Sequence, residues 1–159
     1  MEAPTYNHQE IAGEIHRQIA NYIYEHQGAC RPVISPVDVQ LDCDNKTMVQ
    51  PDVGILCDRD KIKRWGIYGA PDFLLEVVSP SSRTRDYTKK LAKYEHAGVR
   101  EYWIFDPYQK RVLVYYFQGD SVPIIYGLDK PIPVNIFDGK LEIDLSRIHE
   151  WIQEQERLP

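Results

Sequence analysis

Apolar residues recur at helical spacing through Ile11, Ile15, Ile19, Tyr22 and Ile23, and Gly28 follows as a stop. Asn7 with Glu10 three residues later has the form of a capping box, so a first helix is expected over about residues 7–27. The period then changes to two. Val37, Val39 and Leu41 alternate with polar residues inside 33–41, where Pro36 marks an edge or a bulge. Residues 42–46 read as a turn, 47–57 as a second strand interrupted at Pro51, and the polar, glycine-containing stretch 58–71 as a loop. Residues 72–78 form a dense apolar run with one carboxylate, Glu76, inside it, ended by Ser79-Pro80-Ser81-Ser82.

Helical spacing returns over 83–97, with Leu91, Tyr94 and Ala97 as core contacts and Gly98 as the stop. Glu101 to Phe105 is rich in aromatic and β-branched residues and closes at Asp106-Pro107; 111–117 and 122–126 continue as antiparallel strands. Asp138-Gly139 is a hairpin turn leading to 141–143, and a short helix from Ser146 to about Gln155 ends the pattern. The order α-β-β-β-α-β with a β-rich tail predicts an α/β or α+β domain around one mixed sheet. At 159 residues the chain suits a single domain, its core about 7–107 and its tail about 108–159.

Composition narrows this picture in three ways. No apolar run approaches the roughly 20 residues of a membrane helix, and the first residues lack the basic and apolar regions of a signal peptide, so no membrane partner and a cytoplasmic location are expected. Cys30, Cys43 and Cys57 are odd in number and lack CxxC spacing, which suits reduced, partly buried thiols. The net charge of −5 argues against a protein that coats nucleic acid, yet residues 83–93 hold five basic side chains (Arg83, Arg85, Lys89, Lys90 and Lys93) against one acid, Asp86. A basic helix therefore sits on an acidic body.

The candidate chemistry starts at Glu76. Alternation along its strand puts Asp72, Leu74, Glu76 and Val78 on one face. A carboxylate inside a buried strand is costly unless it is paired or binds a cation, so Glu76 is either half of a buried salt bridge, with an arginine for example, or a cation ligand. Asp52 after Pro51 lies in a neighbouring apolar strand, and two carboxylates brought together there repel unless a cation separates them. Hard divalent ions favour such a set of one or two carboxylates, a carbonyl, waters and phosphate oxygens. Lys90 shares a helical face with Asp86 and Tyr94 on the helix that follows the Glu76 strand; an ammonium there can orient an attacking water or offset charge on a phosphate.

Pro51-Asp52-Val-Gly-Ile-Leu56, Gly69-Ala-Pro-Asp-Phe-Leu-Leu-Glu76-Val-Val-Ser-Pro-Ser81 and the spacing Asp86-x3-Lys90-x3-Tyr94-x3-Gly98, continued by Val-Arg-Glu-Tyr-Trp103-Ile-Phe-Asp-Pro107, resemble the Uma2 family of restriction-endonuclease-like proteins over about residues 3–118. That resemblance implies the PD-(D/E)XK nuclease fold, with Asp52 as the motif aspartate and Glu76 as the (D/E) residue. It further implies Mg²⁺ or Mn²⁺ held by Asp52, Glu76 and the backbone carbonyl of Val77. The strand position two residues after the glutamate, usually lysine, is Val78, and Lys90 is the natural substitute. His8 matches the family's His-Gln motif, Glu10 or Glu14 could turn an acid from the first helix towards the metal, and Arg83, Arg85 and Lys89 could contact phosphates. Many relatives carry residues ahead of the stretch matched by Ala3 to Gln9, so a shortened sheet edge or site wall is expected. The resulting expectation is a metal-dependent endonuclease acting on DNA. A catalytically inactive nucleic-acid- or protein-interaction module keeping the fold is the alternative, and aromatic strands such as Tyr115-Tyr-Phe117 could then form a homodimer surface.

Overall fold

A computed structural model of the chain describes residues 3–42, 45–80, 84–120 and 122–159, with 84–86 described by backbone alone. Helix α1 spans Tyr6–Glu25. Its N-cap is Thr5, whose hydroxyl accepts the N–H of His8, rather than Asn7. Thr5 has the extended backbone a cap requires, and the Asn7–Glu10 pair becomes a 3.2 Å side-chain contact within the first turn.

Strands β1 (Arg31–Ile34), β2 (Val39–Gln40), β3 (Met48–Val49), β4 (Val53–Leu56), β5 (Ile67–Tyr68) and β6 (Phe73–Val77) follow. Helix α2 (Thr84–Ala97) leads to β7 (Glu101–Asp106), β8 (Arg111–Tyr116), β9 (Ile124–Tyr126), β10 (Ile132–Pro133), β11 (Glu142–Ile143) and helix α3 (Ser146–Glu156). The main sheet has the order β1-β4-β6-β7-β8-β9. Within it β6 and β7 run parallel, joined by the α2 crossover, and the other neighbours are antiparallel. Taken with their strands, α1, β1, β4, β6, α2 and β7 reproduce the expected α-β-β-β-α-β order around a mixed sheet.

Two expected elements divide differently. The run 33–41 breaks at Ser35-Pro36, so β1 joins the main sheet while β2 joins a small sheet with β3 and β5. Residues 58–71, expected as loop, contain a 3-10 turn at Arg59–Lys61 and β5, which pairs parallel to β2 with Ile67 beside Val39. Strands of two residues carry no readable period, so only their partner defines them.

Both faces of the main sheet are covered, which explains why every residue of β6 is buried. Phe73, Leu75 and Val77 face a cluster that includes Ile11, Ile15 and Ile19 of α1 and Ile148 and Ile152 of α3. On the other face Leu74 meets Tyr87 and Tyr94 of α2 together with Val39 and Ile67 of the small sheet. Beyond the Arg31–Leu56 pair of β1 and β4, Cys30 and Cys57 stand side by side and form a disulfide. This corrects the expected reduced state for those two cysteines, and the cause is register; Cys43 lies outside the described residues. Among the described residues no helix is long and apolar enough to cross a membrane.

Candidate active site

Glu76 projects from β6 into the face covered by α2, where its side chain is 5 % exposed. The Lys90 ammonium, one α-helix away, donates to both carboxylate oxygens at 3.0 Å. The Tyr94 hydroxyl donates to Oε1 at 2.8 Å and the Tyr102 hydroxyl to Oε2 at 3.0 Å. Four contacts on two oxygens fill the lone-pair sites a carboxylate offers. Burial, then the charge of Glu76, pushes both phenols well above their ordinary range, so they remain donors. The ion-pair reading of Glu76 thus applies in this structure, with a lysine in place of the arginine considered from sequence.

Asp52 lies one step beyond the Val53–Leu75 pair, which places it opposite Glu76 in the antiparallel register. Its backbone carbonyl accepts from Ser35 and its Oδ2 accepts the N–H of Val77 at 2.8 Å, tying it to the residue after Glu76. The Tyr94 hydroxyl feels the charges of both acids, which marks them as neighbours. His8, from the first turn of α1, brings Nε2 to 3.3 Å from Asp52 Oδ2. The hydrogen bond to Asp52 raises the His8 pKa against the opposing effect of burial. Asp52 and His8 line a cleft of about 710 Å³ together with Pro36, Gln50, Ser79 and Pro80; Glu76 is not part of its described wall.

This donor set fits a hard divalent ion under one condition. Asp52 Oδ1 accepts from no described residue, the Val77 backbone meets both Asp52 and His8, and two carboxylates with a carbonyl match the protein share of a Mg²⁺ shell. Glu76 can join only when Lys90 withdraws, because its oxygens are otherwise committed. Among the described residues no group of three or more His, Cys, Asp or Glu side chains gathers as a metal cluster.

The remaining sequence candidates are placed elsewhere or fall outside the description. Glu14 is buried, but its carboxylate binds Arg17, Gln18 and Arg147, where α1 meets α3. Glu10 pairs with Asn7. Lys89 is exposed on α2, Arg83 lies outside the described residues, and the Arg85 side chain is likewise not described. The sequence pattern makes Tyr94 a core contact and Tyr102 part of an aromatic strand; the structure adds that both hydroxyls donate to Glu76. The signals were the i,i+4 spacing of Lys90 and Tyr94, and a hydroxyl-bearing ring on the strand parallel to Glu76.

A mixed sheet with a parallel β6–α2–β7 unit and two acids brought together at one end of the adjacent strands β4 and β6 defines the restriction-endonuclease-like class. The crystal structure of "a putative nuclease belonging to DUF820" from Anabaena variabilis superposes with a TM-score of 0.75 at 22 % identity, covering 95 % of this chain and 84 % of that one. The family model for Uma2, described as "Putative restriction endonuclease", matches residues 1–146, and the chain belongs to this family. No protein of curated function matches it.

Proposed function

We propose that the chain is a divalent-metal-dependent endonuclease that hydrolyses phosphodiester bonds of DNA. The observation that carries the reading is the reach of Lys90 from α2 to Glu76, which puts an ammonium beside the acid although the strand position Val78 is apolar. Asp52, Glu76 and the Val77 carbonyl are the groups that would hold Mg²⁺ or Mn²⁺. Such an ion, when bound, supplies Lewis acidity towards phosphate and acidifies an attacking water. Lys90, freed from Glu76, orients that water or offsets charge developing on the phosphate. His8 fixes the Asp52 carboxylate from the cleft side, and Lys89 on the exposed face of α2 is available to a phosphate.

A second reading, an interaction module that keeps the fold without catalysis, draws on the complete satisfaction of Glu76 by Lys90, Tyr94 and Tyr102. Supercoiled plasmid incubated with Mg²⁺, Mn²⁺ or chelator separates the two. The endonuclease nicks or linearises DNA only with metal, and Asp52→Asn and Glu76→Gln each lose roughly 100-fold or more in rate. Absence of cleavage with every metal, together with identical Mn²⁺ titration heats for wild type and Asp52→Ala, selects the module.

A further inference from the structure

Next to the acidic centre the same sheet face holds a second cavity, of about 110 Å³. Val78, Leu91, Ile104 and Leu113 give it apolar walls, and the rings of Tyr87 and Tyr115 border it. Two charged side chains also reach it, Asp106 at the end of β7 and Arg111 at the start of β8. They stand opposite each other in the hairpin register. Arg111 Nε is fully buried and has no hydrogen-bond partner among the described residues. A buried donor left in that state is uncommon and costly, and a small turn of the Arg111 guanidinium towards an acceptor in the cavity would relieve it. Asp106 uses Oδ1 to accept the N–H groups of Tyr108 and Gln109, which leaves Oδ2 uncommitted to that turn.

The cavity adjoins the candidate catalytic residues directly. Val78 follows Val77, whose carbonyl lies 3.5 Å from the Tyr87 hydroxyl. Lys90 Nζ lies 5.9 Å from the centroid of the same Tyr87 ring. Building on the nuclease reading, we propose that this cavity is a subsite for one unstacked pyrimidine base, cytosine in preference to uracil or thymine. At about 110 Å³ the cavity is smaller than the engineered cavities of roughly 150 Å³ that enclose a whole benzene ring, so it takes one edge of a single-ring base and leaves no room for a fused pair of rings. Cytosine sets an amino donor beside ring-nitrogen and carbonyl acceptors, matching a carboxylate next to a guanidinium. Uracil and thymine put a carbonyl where that amino group stands, against the Asp106 carboxylate. Guanine carries a comparable set of groups on two fused rings, and the volume decides against it.

Calorimetry or amide chemical-shift titration of the full chain with cytidine, uridine and guanosine, without metal, tests this apart from cleavage. Cytidine is expected to bind weakly, at about the millimolar level, and roughly tenfold tighter than uridine or guanosine. Arg111→Met should weaken cytidine binding roughly tenfold. Asp106→Asn keeps an oxygen for the turn and offers an amide donor to the cavity, so it should shift preference towards uridine. Melting temperatures verify that both variants fold, and the preference shift of Asp106→Asn decides if Arg111→Met does not. Inert plasmid with intact cytidine binding rejects only the nuclease reading. No nucleoside binding at about 10 mM, equal affinity for cytidine and uridine, tighter guanosine binding, or an unshifted preference in folded Asp106→Asn overturns the subsite.

Discussion

Lys90 Nζ lies 3.0 Å from both carboxylate oxygens of Glu76, yet the two side chains differ sharply in freedom: Lys90 is 42 % exposed and Glu76 5 %. The acid is fixed by its strand and by two phenols, whereas the ammonium rides on a long, partly exposed stem from α2. Any cation that takes Glu76 must displace Lys90, which makes the lysine both a placeholder for positive charge and a mobile group near the reacting phosphate. Lys90→Met is therefore expected to lower metal-dependent cleavage roughly 100-fold. Its stability should fall by no more than about 1–2 kcal/mol, because Tyr94 and Tyr102 still serve Glu76 and the lysine is partly screened by solvent. Added Mn²⁺ should raise the melting temperature of Lys90→Met more than that of wild type, since no ammonium competes for the acid. Equal metal-induced shifts in the two proteins would count against this competition.

Tyr94 and Tyr102 share one acceptor residue and also meet edge to face, their ring centroids 4.8 Å apart. Each hydroxyl donates to a buried charged group, so Tyr94→Phe and Tyr102→Phe should each cost about 1.5–3 kcal/mol in urea unfolding. Both act through Glu76. The double variant is expected to depart from the sum of the singles by at least roughly 0.5 kcal/mol, and strict additivity would show that the contacts do not communicate.

The Cys30–Cys57 disulfide closes a loop of 27 residues between the edge strand β1 and β4. A crosslink of that span stabilises by about 3–4 kcal/mol in the chain-entropy account. Alkylation of the denatured protein without reductant, followed by mass analysis, should find Cys30 and Cys57 protected. Cys30→Ala/Cys57→Ala should unfold at lower urea than the oxidised wild type and match the reduced one. Modification of both cysteines before reduction would remove the crosslink from this account.

The main-sheet elements were legible because each carries a period long enough to read: Ile11, Ile15 and Ile19 for α1, and the unbroken apolar run around Glu76 for a strand covered on both faces. The position of Asp52 opposite Glu76 could be anticipated only in outline, since register depends on which strands become neighbours. What escaped the sequence was set by partners distant along the chain. Glu14 is only partly such a case: at the border of an apolar stripe it binds Arg17 and Gln18 one turn further along α1, and only Arg147 of α3 is remote. Likewise β5 exists because β2 lies beside it, and the disulfide because β1 and β4 pair in one particular register. Tyr102 belongs to an aromatic strand whose pattern does not separate ring from hydroxyl: its ring is core, and its hydroxyl belongs to the site.

Glu101 is fully buried and serves a structural purpose at the far end of the β6–β7 pair. Its Oε2 accepts from Trp103 Nε1 and from both the backbone and side-chain nitrogens of Asn135, and its Oε1 accepts the N–H of Ile136. Burial pushes its carboxyl upward while these donors hold it down. Glu101→Gln turns one acceptor into a donor facing a donor, so it should destabilise by about 1–3 kcal/mol in urea unfolding. Cleavage at saturating metal should persist in the folded fraction, because no Asp52 or Glu76 contact is touched. Loss of activity at wild-type stability would assign Glu101 a different role.

The contact of His8 with Asp52 makes stability depend on pH in a defined direction. Hydrogen bonding and charge attraction from Asp52 raise the His8 pKa above its ordinary 6.5. A raised basic group favours the folded state in full below its unfolded pKa, and that contribution disappears as pH rises through the folded value. With chelator present, the stability difference between wild type and His8→Gln should be largest near pH 5–6 and shrink towards pH 8–9. A divalent ion on Asp52 opposes the imidazolium by charge, so added Mg²⁺ should flatten the dependence if Asp52 is a ligand. Unfolding midpoints for both proteins across this range, with and without Mg²⁺, provide the check. A difference independent of pH would remove His8 protonation from the Asp52 interaction, and a pH dependence unchanged by Mg²⁺ would separate Asp52 from the metal.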